Sequence, residues 1–275
     1  MNELPSLSYA NELRLQEKFS DVVIKVGQRS FSCHRMVLAS SSKYFLNMLT
    51  KDYNEARKNE IELKHFNADD FELVLTHIYG GPLSLNNDNA YRLLRLGIYL
   101  NLKTLETLCT KSLIESSSLS SRTTLCIFSF ASRTGSADLL EAFTKRVAEN
   151  FLSLSKNERL LHFSGDELLK ILTHPNLNAD PAAILNCLVD WMKLRSVDEK
   201  LLPSLLSKVN LTKIPNEWIQ EKIEEISMVS EKRSRTDEEE TEGHEIDSNI
   251  VAKRSRTDIF EEDLLFCDME MDDNE

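Results

Sequence analysis

The sequence predicts an α+β domain, then an all-helical domain, then a charge-dense tail, and three observations carry that reading. Strand-like segments are confined to the first 115 residues, where β-branched Val22 to Val26 is followed by Gly27-Gln28 and Arg29 to Cys33, and Ile61-Glu62-Leu63 alternates further on. From Ser116 the strands stop and helical periodicity continues to about 226. Beyond it, residues 227–275 are charge-dense with few aromatics, the composition of a segment that does not build a core. The divisions are therefore an N-terminal helical segment (1–18), a small mixed sheet wrapped by helices (19–115), an all-α domain (116–226) and a disordered acidic tail (227–275).

Taken in order, Leu7 to Lys18 places Leu7, Ala10, Leu13 and Leu15 at near-helical spacing. So short an amphipathic helix needs a partner surface, in its own fold or on a second copy. Phe19 to Leu49 reads as strand, tight turn, strand and two short helices, the second opened by capping serines in SSSKYFLNML. Asn67-Ala68-Asp69-Asp70 caps FELVLTHIY, which ends at Gly80-Gly81-Pro82. Pro82 to Leu85 reads as one more edge strand. Asp88 is the expected cap of YRLLRLGIYLNL, and TLETLCTKSLIES forms the next helix.

In the second half, Ser120 or Ser121 caps RTTLCIFSFASRT and Ser136 caps ADLLEAFTKRVAENFL. Ser164-x-x-Glu167 has the form of a capping box for ELLKIL. Pro175 ends that helix, and Asp180-Pro181 begins AAILNCLVDWMKL with Pro near the first helical position. LLPSLLSKV and NEWIQEKIEEI complete the array.

Composition narrows the function. The net charge of −12 belongs to the tail, since from Met228 onward there are 17 acidic and 6 basic residues, leaving 28 of 45 acidic and 27 of 33 basic residues before it. A nearly neutral folded part has no basic excess to displace phosphate counterions, which argues against nucleic-acid binding. No apolar run approaches the ~20 residues of a membrane span, and Met1 to Ala10 lacks the pattern of a secretory leader, so the expectation is a protein neither secreted nor membrane-anchored. Five scattered cysteines without a C-x-x-C pair fit a reduced compartment, with Cys as a small buried hydrophobe.

Catalytic chemistry finds no support. Cys33 and His34 are adjacent on a strand and point to opposite faces, so they cannot form a nucleophile-base dyad. His65, His77, His162, His174 and His244 are scattered singly, without the clustering of a metal site. There is no phosphate-cradling Gly loop, and the expectation is a non-enzyme without cofactors. Trp191, Phe128, Phe130 and Phe143 lie at helical spacings among aliphatics, as core residues do.

The tail repeats KRSRTD at Lys232 to Asp237 and at Lys253 to Asp258. Each copy holds Lys-Arg-x-Arg, a weak nuclear-import pattern, which leaves the expected location cytoplasmic with a nuclear option. Phosphorylation at Ser234, Thr236, Ser255 or Thr257 would add about −1.5 to −2 charge per site beside those cations. Phe260, Leu264, Leu265 and Phe266 lie among acids, an arrangement that suits either a short docking helix or a solubilising tail.

The motifs D-V-x-I-x-V and F-x-C-H-R-x-V-L-A-x-x-S-x-Y-F, followed by IEL, FELVLTHIYGG and AYRLLRLGIYLNLKTLETLC, resemble a BTB (POZ) domain. The following FLSLS, ELLKIL and NCLVDWMKL segments are similar to the BACK domain of kelch-like proteins. The resemblance covers about Glu17 to Pro215. It implies a non-enzymatic adaptor of a cullin-3 ubiquitin ligase, acting as a homodimer and recruiting a protein substrate it does not identify. It also implies site residues. Tyr53-Asn54-Glu55 stands where such adaptors carry a hydrophobic-x-Glu motif, with Tyr53 in an apolar slot of the cullin and Glu55 holding the adjoining loop. Helices from Leu125 to Phe151, Leu125 and Phe128 among them, would add cullin surface. Leu13, Phe19, Asp21 and Arg35 would line the dimer groove. The sequence departs from the pattern in running into the acidic tail where kelch repeats would follow, and in Asp180-Pro181-Ala182-Ala183 where Ser-Glu is common. The alternative is a cullin-independent BTB scaffold that recruits regulatory, including transcriptional, partners.

Overall fold

The computed structural model describes residues 7–50, 59–64, 66–194, 202–209, 211–222 and 224. Tyr53-Asn54-Glu55, the KRSRTD copies with Ser234, Thr236, Ser255 and Thr257, and the rest of the tail lie outside the described residues. The described chain divides into two compact units between Ser118 and Leu119.

In the first unit, α1 (Leu7–Leu15) precedes β1 (Val22–Val26) and β2 (Arg29–Cys33), which pair antiparallel through a turn at Gly27, φ 57°. Next come α2 (Arg35–Ser41), α3 (Lys43–Thr50) and β3 (Glu60–Leu63), and β3 joins β1 in parallel, with Ile24 opposite Ile61. The sheet order is therefore β2-β1-β3. Alternation sends Val22, Ile24, Val26, Phe31, Cys33, Ile61 and Leu63 to one buried face. On that core lie Phe71, Val74, Leu75 and Ile78 of α4 (Ala68–Ile78), with Phe71 edge-on to Phe31 at 5.3 Å. The unit closes with α5 (Ala90–Tyr99) and α6 (Lys103–Glu115), which approach closely because Gly97 faces Leu105. A Cβ at Gly97 would come within 3.2 Å of the Leu105 side chain.

Local chemistry fixes most helix starts as expected. The Asn67 side chain accepts from the N–H groups of Asp69 and Asp70. Ser42 Oγ accepts from Phe45 N–H and donates to Leu100 C=O, joining α3 to the end of α5. Two expectations fail. Pro82 to Leu85 is not a strand, although it shows the alternate half-burial of Leu83 and Leu85 that produced the signal. Alternation reports a half-covered side, not a ladder partner, and the Ser84 carbonyl is taken by Asn89 Nδ2 instead. Nor does Asp88 cap α5, because Asn86 Oδ1 accepts from Asp88 and Asn89 N–H while Asn89 Oδ1 accepts from Asn86 N–H. This reciprocal Asn turn builds the entry to the helix.

The second unit is helical: α7 (Ser121–Thr134), α8 (Ala137–Glu149), α9 (Phe151–Leu154), a 3-10 turn at Glu158–His162, α10 (Gly165–Leu172), α11 (Pro181–Leu194) and α12 (Leu202–Leu206), with residues 216–222 helical beyond. Ser120 is the side chain that caps α7. Ser136 occupies the N-cap of α8 without a side-chain capping bond, and that helix stops at Glu149, short of the expected span. The helix α7 is central, with every residue from Thr124 to Ala131 buried. Ser164 and Glu167 form the full reciprocal capping box of α10, and Glu167 Oε1 also accepts from buried Ser129 Oγ on α7 at 2.9 Å. Trp191 on α11 donates its Nε1–H to Phe163 C=O at 2.7 Å, satisfying the indole inside the core.

Cys33, Cys109, Cys126 and Cys187 are buried thiols. Burial pushes Cys33, Cys109 and Cys187 up to about 12. A folded-state value raised above the unfolded one contributes stability fully present below about pH 9 and lost as the pH climbs toward 12. Urea midpoints should accordingly fall between pH 8.5 and pH 10.5, the unfolding free energy dropping by at most about 1.4 kcal/mol per pH unit for each thiol. A midpoint flat over that interval would contradict this placement of the thiols.

Candidate protein-interaction surface

Helix α1 docks by charge. Among Tyr9 to Leu15, the α1 residues whose exposure is described, Arg14 alone is buried, at 4 % exposure. Its Nη2 meets Glu72 Oε1 at 2.6 Å, its Nε donates to Asn11 Oδ1 at 2.9 Å, and its guanidinium lies 5.5 Å from the Tyr79 ring centre. Glu72 on α4 and Tyr79 at its C-cap, seven residues apart, also serve neighbours: Arg29 Nη2 stands 3.5 Å from Glu72, and Tyr79 Oη accepts from His34 N–H at 2.8 Å.

His34 ties these elements to the segment before β1. Its Nε2 lies 2.9 Å from Lys18 C=O, an acceptor only, so Nε2 carries the proton and Nδ1 accepts from Tyr79 O–H at 3.0 Å. Burial pushes the Tyr79 phenol upward, which keeps it a donor. Tyr79→Phe removes the acceptor of His34 N–H and the donor to Nδ1 together. The variant should lose about 1–2 kcal/mol in urea unfolding, with the fold unchanged by circular dichroism.

The path from α1 to β1 is held open by backbone geometry. Lys18 N–H bonds Leu13 C=O and Glu17 N–H bonds Arg14 C=O, a Schellman closure with Glu17 left-handed at φ 55°. Phe19 is left-handed as well, φ 60°, a conformation that costs a bulky residue of order 1 kcal/mol. It leaves the Phe19 side chain 82 % exposed. Asp21 Oδ1 then accepts Arg35 N–H at 2.7 Å, capping α2 from outside, while Arg35 Nε donates to Asp21 C=O at 3.2 Å. These bonds set the Lys18 to Asp21 segment beside the start of α2, where Met36 is 80 % exposed. Tyr9 and Leu15 on α1 are exposed too.

The expected groove residues are thus linked in ways the sequence did not specify. Asp21 and Arg35 meet through backbone groups, and Asp21 is exposed rather than desolvated. Leu13 is half-buried and Phe19 points outward. Leu125 and Phe128, expected at a cullin contact, are fully buried in the second unit, and Phe128 packs on the Phe163 ring at 5.2 Å. Their side chains have no exposed area, whereas Ser121 at the start of α7 is exposed and Ser132 to Thr134 at its end are half-buried. Arg14 was missed, yet its signal was present: it lies at i+7 from Leu7 and i+4 from Ala10, on the apolar stripe itself.

Among the described residues no cluster of His, Cys, Asp or Glu is suited to a metal ion, and no helix is long and apolar enough to cross a membrane. The comparison with known families agrees with the architecture: the BTB/POZ domain family matches residues 10–117, and the BACK family, described as BTB And C-terminal Kelch, matches residues 124–224. The chain is a BTB–BACK protein. Relatives of this BTB–BACK chain include kelch-like protein 5 of Homo sapiens, 31 % identical over 184 residues, which cover 66 % of this chain and 24 % of that protein. Kelch repeat and BTB domain-containing protein 8 of Xenopus tropicalis is 28 % identical over 194 residues, 70 % of this chain and 32 % of the relative. Kelch-like protein 25 of the same organism is 28 % identical over 234 residues, 83 % and 39 % respectively. The BTB–BACK chain therefore spans between a quarter and two fifths of the length of these relatives. Among solved structures, the BTB domain of zebrafish PATZ1 aligns with a TM-score of 0.37 and 23 % identity, covering 40 % of this chain and 89 % of that one.

Proposed function

We propose that this BTB–BACK protein is a non-enzymatic adaptor of a cullin-3 ubiquitin ligase that acts as a homodimer and brings a protein substrate to the ligase. The observation that carries the reading is the succession of a BTB domain and a BACK domain in one chain whose relatives are kelch-like proteins. The homodimer is supported by exposed apolar side chains on and beside α1 and α2, namely Tyr9, Leu15, Phe19 and Met36. Exposed large apolar side chains that a second copy could cover are what such a contact needs. Cullin contact is assigned to Tyr53-Asn54-Glu55, which the chain places between the end of α3 at Thr50 and the start of β3 at Glu60. The burial of Leu125 and Phe128 confines any BACK contribution to the exposed parts of its helices.

Capture of the full chain on an immobilised cullin-3 N-terminal region tests the reading. The wild type is retained and Tyr53→Ala/Glu55→Ala is not, at equal folding by circular dichroism. Equal retention of both would remove Tyr53 and Glu55 from the contact.

A further inference from the structure

We infer that Arg14 is the positioning residue of self-association: by seating α1 on its own BTB domain through Glu72 and Tyr79, it holds the exposed Tyr9 and Leu15, and the turn that carries Phe19, for contact with a second copy of this chain. The inference rests on the homodimer reading above and adds the group that controls it. Helix α1 is nine residues long, too short to hold together on its own propensity. Its residues Tyr9 and Leu15 are exposed, and Leu13, Ala10 and Asn11 are only half-buried, so among Tyr9 to Leu15 apolar burial does little to retain the helix. Among Tyr9 to Leu15 the one enclosed side chain is a cation, and it is matched at three points: the Glu72 carboxylate at 2.6 Å, the Asn11 side-chain amide oxygen at 2.9 Å and the Tyr79 ring at 5.5 Å. A planar guanidinium can satisfy these together, whereas a lysine ammonium cannot keep the same fork.

The position of Arg14 in the last turn matters as well. A cation there complements the helix C-terminus, and Arg14 C=O and Leu13 C=O accept the two closing bonds that turn the chain toward Phe19. The ion pair and the outward placement of Phe19 are therefore consecutive features of one short segment. Release of the anchor frays α1 and loosens the turn that carries Phe19, while the sheet, α2 and α4 keep their own core.

The test uses the full chain, with Arg14→Met, which has equal helix propensity and keeps the aliphatic stem, Glu72→Gln, and the exchanged pair Arg14→Glu/Glu72→Arg. Amide exchange over residues 7–18 and the self-association constant by analytical ultracentrifugation are read in parallel. In Arg14→Met and in Glu72→Gln, exchange over 7–18 should rise at least tenfold and self-association should weaken at least tenfold, with exchange in α4 and α5 unchanged. The exchanged pair should regain part of both. Unchanged protection of residues 7–18 in Arg14→Met would overturn the inference. So would a loosened α1 with undiminished association, which would leave the homodimer reading intact. A wild type that stays monomeric would instead overturn the homodimer reading and, with it, the link from anchoring to association.

Discussion

Phe128→Ala is expected to destabilise the BACK domain by about 3–5 kcal/mol, the range for deleting a fully buried aromatic side chain. Phe128 has no exposed area and packs its ring on Phe163, whose carbonyl in turn holds the Trp191 indole. A cavity at this point therefore touches α7, the end of the 3-10 turn and α11 together. Both tryptophans of the chain, Trp191 and Trp218, lie beyond Leu119, so tryptophan fluorescence in urea reports the second unit alone. Its midpoint should fall sharply while the first unit unfolds as before. Loss of a partner in this variant would be a consequence of unfolding. A stable Phe128→Ala that selectively lost cullin would show the buried placement to be wrong.

Glu167→Ala is expected to cost about 3 kcal/mol in the same assay, because one side chain serves two structures. It completes the capping box of α10 by accepting from Ser164 N–H at 2.8 Å, and it accepts from Ser129 Oγ on α7. Loss of a cap is worth about 1 kcal/mol, and hydrogen bonds to a carboxylate about 1.5–3 kcal/mol. Truncation also strands the buried Ser129 hydroxyl. Glu167→Gln keeps one acceptor oxygen, enough for Ser164 N–H, and turns its Nε2–H toward Ser129 Oγ, a hydroxyl that accepts as well as donates, so it should cost less than half as much. Equal losses for the two variants would mean that side-chain volume, not hydrogen bonding, holds the site.

Local rules in the sequence reached far into this fold. Gly27-Gln28 between β-branched runs, Asn67 before α4, Ser120 before α7 and the Ser164-x-x-Glu167 box are each decided within four residues, and each appears in the structure. Where the outcome depended on distant groups, the reading from sequence fell short. Pro82 to Leu85 has the alternation of a strand, but a strand needs a neighbour, and alternation does not say whether one is there. Phe128 was legible as a core residue by its spacing, and its side chain is buried as that spacing implies.

The resemblance named residues for the proposed dimer surface but gave nothing of their geometry. Phe19, Asp21, Arg35 and Leu13 could be named, but the left-handed backbone at Glu17 and Phe19 could not, since neither is a residue type that favours it. The Arg14–Glu72 pair joins residues 58 positions apart, and only the docking of α1 against α4 brings them together. A basic residue on the apolar stripe of a short helix was its single trace in the sequence.

On the function proposed above, this BTB–BACK chain binds cullin-3 through the segment between α3 and β3. Calorimetric titration of the cullin-3 N-terminal region into the full chain measures it most directly. Saturable binding with one cullin per protomer, abolished in Tyr53→Ala/Glu55→Ala, is the predicted result. Absence of binding by a folded wild type would contradict it.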